Sequence, residues 1–118
     1  MRNTKKIISP KVLRAASFLL ALFIPVCTLA SEINSHQQER LIHLLKHDCG
    51  SCHGLTLKGG LGPSLLSERL VTLPRELVVN TILYGRNGTP MPPWKTILTH
   101  REVEWLVDYL YSGDAGEK

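Results

Sequence analysis

A chain of 118 residues has room for one domain and no more. Its formal net charge of +4 is misleading about partners. Residues 1–14 carry Arg2, Lys5, Lys6, Lys11 and Arg14 and no acid, whereas residues 31–118 hold 9 Lys/Arg against 10 Asp/Glu; the body of the chain is near −1 and gives no support for nucleic-acid binding.

The N-terminus reads as an export signal. After the basic stretch, Ala15 to Val26 is apolar, and Thr28-Leu29-Ala30 puts small residues where a signal peptidase needs them. We expect residues 1–30 to be a cleaved signal peptide, residues 31–118 the mature domain, and the periplasm the destination. The apolar run is short against the roughly 20 residues of a membrane span, so stable membrane insertion is not expected; an uncleaved anchor is the alternative. Cys27 follows Ile24-Pro25-Val26, which lacks the small residue expected before a lipidated cysteine. Removal of Cys27 leaves Cys49 and Cys52 as the mature cysteines.

The first helix is expected from about His36 to His47, with Ser35 as N-cap and Gln38 completing a capping box. Leu41, Ile42, Leu44 and Leu45 follow at helical spacing. This helix runs directly into Cys49-Gly50-Ser51-Cys52-His53, a C-x-x-C-H motif that is the attachment pattern of a c-type haem. Two thiols at this spacing can each form a thioether with one haem vinyl group, and the histidine after the second is held under the iron as proximal ligand. A redox dithiol would follow a strand, and no strand pattern precedes Cys49. A zinc site needs further ligands, and His36, His43, His47 and His100 form no metal pair near a cysteine. A plain disulfide leaves His53 unexplained.

Leu57 to Ser64 holds three glycines and Pro63, and reads as a loop whose backbone passes close to a flat cofactor. The Pro63 carbonyl is a candidate acceptor for the Nδ1–H of His53, which would orient the ring. Leu65 to Leu73 has room for one helical turn. A helix then starts near Pro74, carries an apolar stripe of Leu77, Val78, Thr81, Ile82 and Tyr84, and ends at Gly85. Val78-Val79 lowers its intrinsic propensity, so packing must hold it.

Met91 is the one methionine besides Met1, and it stands between Pro90 and Pro92 in a loop rather than on a helix face. That placement makes it the candidate distal thioether ligand, with Trp94 as a haem-edge residue or a half-buried anchor. Thr99 and Glu102 form a second capping box, opening a helix from His100 to Tyr111 that Gly113 should stop. This helix is expected to pack on the first, with a frayed tail beyond Gly113.

The order Cys49-x-x-Cys52-His53, Gly62-Pro63, Met91-Pro92 between an N-terminal and a C-terminal helix resembles the class I monohaem cytochromes c. The resemblance implies an all-α fold of three main helices around one covalent haem c. It places Cys49 and Cys52 on the haem, His53 and Met91 on the iron, and the Pro63 carbonyl at His53. More narrowly, His47 to Gly54, Leu57 to Pro63 and Ile82 to Trp94 are similar to the NirC-type cytochromes (cytochrome c-55X) of denitrification clusters. That likeness implies a periplasmic electron carrier rather than an enzyme; for so small a carrier a monomer is the default expectation. Its expected partners are redox proteins, either cytochrome cd nitrite reductase or the proteins that mature haem d. An enzymatic alternative would need an open iron position, and His100 is the nearest acid–base candidate in sequence.

Overall fold

The computed structural model describes residues 32–116; the expected signal peptide and its cleavage point lie outside them. All regular structure among the described residues is helical. Helix α1, Ser35–Leu44, passes without a break into a π-helical turn over Leu45–Cys49 and continues as the short α2, Gly50–His53. The cap falls one residue earlier than the sequence suggests. Asn34, not Ser35, closes the box: its Oδ1 accepts the Gln37 N–H at 2.9 Å and its own N–H donates to Gln37 Oε1 at 3.1 Å. Asparagine caps as well as serine, and Gln38 is left to donate to the Ile33 carbonyl at 2.9 Å. The helical path does not stop at His47, because the motif residues are themselves helical.

A loop over 54–66 leads to α3, Ser67–Leu70, which is the single expected turn. Helix α4 is Arg75–Tyr84, with Pro74 just outside it as an extended N-cap rather than inside it. Helix α5, His100–Ser112, opens on the Thr99–Glu102 box as expected and ends at Gly113. The tail is more ordered than expected: Asp114–Gly116 form a 3-10 turn, and Ala115 packs against the core.

The core lies where α1, α4 and α5 meet. Leu41, Val79, Val103 and Val107 are sealed from solvent, and Leu45, Leu83, Leu98, Leu106 and Leu110 surround them. On α5 the buried positions 103, 106, 107 and 110 form one stripe at helical spacing. Each such side chain contributes on the order of 2 kcal/mol through burial. Val78 and Val79 are both buried, so packing does hold the β-branched pair in α4. The stripe expected on this helix is divided, however. Val78, Val79 and Leu83 turn inward, whereas Leu77 and Tyr84 are more than half exposed. Ion pairs tie α5 to its neighbours: Arg40 of α1 to Glu102, and Arg75 of α4 to Asp108 at 2.7 Å and to Glu104 at 3.8 Å.

Candidate cofactor site

One cavity of about 580 Å³ opens between the helices and the two long loops. Its walls are largely apolar, with Leu45, Leu70, Leu73, Val78, Ile82 and Leu106 among them. The structure brings Cys49, Cys52, His53, Pro63, Met91 and Trp94 to this one surface, although the sequence spreads them over more than forty positions.

Cys49 ends the π turn, and Cys52 and His53 lie on α2. His53 is buried, with Nδ1 2.7 Å from the Pro63 carbonyl oxygen. A carbonyl can only accept, so Nδ1 carries the proton and Nε2 keeps a free lone pair. The Pro63 carbonyl is held by a loop pinned back onto the motif. The Gly59 N–H donates to His53 O at 2.8 Å, the Gly62 N–H to Cys52 O at 2.9 Å, and the Gly60 N–H to Gly62 O at 2.9 Å. Gly62 lies flat against the imidazole. A Cβ there would be 2.6 Å from Cε1 and 2.7 Å from Nδ1 of His53. The sequence reading assigns this loop's glycines to close passage of a cofactor; at Gly62 the tightest constraint is the histidine ring itself.

Cys49 and Cys52 are both free thiols. Burial pushes the Cys49 thiol up to about 11, and the neighbouring Asp48 charge adds to the shift. Among the described residues no group of three or more His, Cys, Asp or Glu is arranged to hold a metal ion.

Met91 is half-buried on the opposite loop. Gly85 starts that loop at φ +69°, and a Cβ on it would lie 2.6 Å from the Met91 carbonyl oxygen. The Arg86 N–H donates to that same oxygen at 3.1 Å. Downstream, the N–H groups of Trp94 and Lys95 donate to Ile82 O and Leu83 O at 3.0 and 3.1 Å, returning the loop to the end of α4. Trp94 is both a half-buried anchor against the core and part of the cavity wall. His100 instead pairs with Glu104 at 3.3 Å and is not part of the wall.

Arg69 and Arg86 also line the cavity, and sequence reasoning missed them. An arginine on a short helix or in a loop carries no distinctive local signal. A second difference concerns His43 and His47, whose rings lie side by side with centroids 4.2 Å apart just ahead of Cys49. An apolar cavity that presents a histidine nitrogen, a soft thioether and two thiols fits a haem c.

The profile of the family described as cytochrome c oxidase, cbb3-type, subunit III matches residues 36–110. Cytochrome c55X of Pseudomonas aeruginosa is 47% identical over 112 residues, covering 89% of this chain and 94% of that protein. A solved structure of the c-type cytochrome NirC superposes with a TM-score of 0.68 at 52% identity, covering 70% of this chain and 96% of the other. A different kind of relative is dihydro-heme d1 dehydrogenase of P. aeruginosa. It is 36% identical over 74 residues, which are 63% of this chain but 15% of that protein.

Proposed function

The chain belongs to the c-type cytochromes of the cytochrome c55X (NirC) kind, electron carriers with the class I cytochrome c fold, and from that premise we propose that it is a periplasmic monohaem carrier serving nitrite reduction. Residues 1–30 direct export, and residues 31–118 form the mature domain. Among the described residues no helix is long and apolar enough to cross a membrane. Cys49 and Cys52 would hold a haem c covalently, one thioether to each of its two vinyl groups. His53 Nε2 and the Met91 thioether would hold its iron. When bound, the haem supplies a one-electron ferrous/ferric couple.

The chain's own residues set the conditions for that couple. The Pro63 carbonyl fixes the tautomer and orientation of His53. The Met91 thioether favours the ferrous state. The apolar wall excludes water, and Trp94 covers one edge. Arg69 and Arg86 bring cations to the cavity, where the carboxylates of a haem can be neutralised. The observation that carries the reading is the 2.7 Å contact of His53 Nδ1 with Pro63 O, on the wall that also holds both thiols and Met91.

The first test is the visible spectrum of the reduced holoprotein with and without carbon monoxide. The expected result is a c-type spectrum unmoved by carbon monoxide. Met91→Ala should then open the iron to carbon monoxide and lower the potential by on the order of 100 mV, a fraction of the ~0.8 V that axial ligands command. A potential unchanged by that substitution removes Met91 from the iron.

The partner within nitrite reduction has two readings. Supply of electrons to cytochrome cd nitrite reductase is the first. The likeness to dihydro-heme d1 dehydrogenase favours a second, in which the carrier serves maturation of that enzyme's haem d. Deletion of the gene separates them. Loss of turnover with the reductase cofactor intact supports electron supply, and loss of the cofactor itself supports maturation.

A further inference from the structure

The solvent face of the first helix carries a second set of ligand atoms, away from the cavity. His43 ends its turn on α1, and His47 lies within the π turn over Leu45–Cys49. Both are exposed, and their rings lie side by side with centroids 4.2 Å apart and planes tilted by 35°. Residues four apart on a regular α-helix are about 40° out of line around the axis. The wider π turn between these two reduces that offset and brings the two rings together. π turns inside helices often mark functional positions.

We propose that His43 and His47 form a two-histidine site for a divalent transition-metal ion, copper or zinc in class, clamped across the junction between α1 and the π turn. Two imidazole nitrogens bound to one metal at 2.0–2.1 Å are about 3 Å apart. Exposed rings already 4.2 Å apart reach that spacing by side-chain rotation alone. Neither ring has a hydrogen-bond or ion-pair partner among the described residues, so no existing bond has to break. Among the described residues no third protein ligand is in place, and water would complete the coordination. Imidazole ligands suit copper and zinc, with copper bound more tightly. The clamp lies two residues before Cys49, where the sequence reading saw no metal pair; the 4.2 Å approach of the two rings is what corrects that reading, and a metal there would staple the helical segment that carries the C-x-x-C-H motif.

The test uses reduced holoprotein, with Zn(II) alone as the first probe, followed by calorimetry and by the ring-proton NMR signals of the histidines. One zinc per chain should bind and shift the His43 and His47 signals together. His43→Ala or His47→Ala should each weaken zinc binding by about tenfold or more, while His36→Ala and His100→Ala leave it unchanged; Cu(II) on the oxidised protein should bind more tightly than zinc. Both rings are exposed, and an unaltered haem spectrum reports that each variant is folded. Zinc affinity equal in His43→Ala, His47→Ala and the unaltered protein overturns the proposal. So does an equal loss in His36→Ala, or shifts confined to one ring.

Discussion

The two loops that face each other across the cavity are built on different principles. The loop after His53 is fastened by main-chain hydrogen bonds to the motif itself, and its Gly59, Gly60 and Gly62 N–H groups all find acceptors within 2.9 Å. The loop around Met91 is fastened at its centre only to itself: the Thr89 N–H and hydroxyl donate to Arg86 O at 3.1 and 2.8 Å, and the hydroxyl accepts the Met91 N–H at 3.3 Å. Residues 86–90 are exposed, and the loop is held at its two ends, by Arg86 N–H to Met91 O and by the return of Trp94 and Lys95 to α4. The proximal wall is therefore a fixed part of the fold. The distal wall is a strap whose stiffness comes from three prolines and a few anchors, which suits a weak thioether ligand. Each loop also depends on its own tie to α5: Arg40–Glu102 serves the motif side and Arg75–Asp108 the α4 side.

Breaking the distal strap at its hinge should cost most. Gly85→Ala meets both a positive φ and a Cβ contact of 2.6 Å with main chain. We expect a loss of about 3 kcal/mol, from the left-handed penalty and overpacking together, read by guanidinium unfolding of the holoprotein. The iron should also open to carbon monoxide as Met91 is displaced. A variant as stable as the parent removes Gly85 as the hinge.

On the proximal side, Gly62→Ala should cost about 2 kcal/mol by overpacking. Its added methyl pushes on the His53 ring, whereas the Gly85 substitution pushes on backbone. The expected signature is a disturbed histidine–Pro63 hydrogen bond and a shifted potential, with the distal ligand still bound. If carbon monoxide binds the Gly62 and Gly85 variants equally well, the two walls are not mechanically separate.

Glu102→Gln keeps a capping-box partner at that position but removes the charge facing Arg40. Burial pushes the Glu102 carboxyl up, but hydrogen bonds from Thr99 and the Arg40 charge outweigh it and leave the pKa below the ordinary carboxylate range. A lowered folded pKa gives stability that is fully present above the unfolded value of about 4.3 and is lost as pH falls through the folded value. The substitution should cost about 1 kcal/mol at pH 7 and flatten the loss of stability below about pH 4. A parallel acid limb in both proteins would deny Glu102 that part.

The smallest effect is expected at Asp108→Ala. Arg75 donates to both its carboxylate oxygens, from Nε at 2.7 Å and from a guanidinium N–H at 2.9 Å, but the pair is exposed. A loss of about 0.5 kcal/mol is appropriate for a solvent-screened pair. It should shrink further in high salt; a larger, salt-insensitive loss would make this tie a structural equal of Arg40–Glu102.

Much of the molecule was legible before any coordinates. The C-x-x-C-H motif names its own chemistry because two thioethers and an axial ligand demand that spacing along a single turn of chain. The Thr99–Glu102 box and the stop at Gly113 were equally clear, since a cap is a transaction between residues three or four apart. At the first helix the same logic erred by one residue, because Asn34-x-x-Gln37 and Ser35-x-x-Gln38 are nearly equivalent as local patterns. Local chemistry alone does not choose between them.

What only the tertiary structure decided involves segments far apart in sequence. The apolar residues of α4 are continuous enough to face two ways, and the partition of Val79 to the core and Leu77 to the cavity is set by where α5 lies. Gly62 looks like any loop glycine until His53 is found against it, and Arg69 and Arg86 look like solvent-facing charges until the cavity is drawn. The approach of His43 to His47 depends on a π turn that no residue in the segment announces. By itself the sequence determined the C-x-x-C-H pattern and the ends of the last helix, because both are governed by chain spacing and short-range hydrogen bonds. The fold decided which faces meet, because burial is a property of the assembled chain and not of any stretch within it.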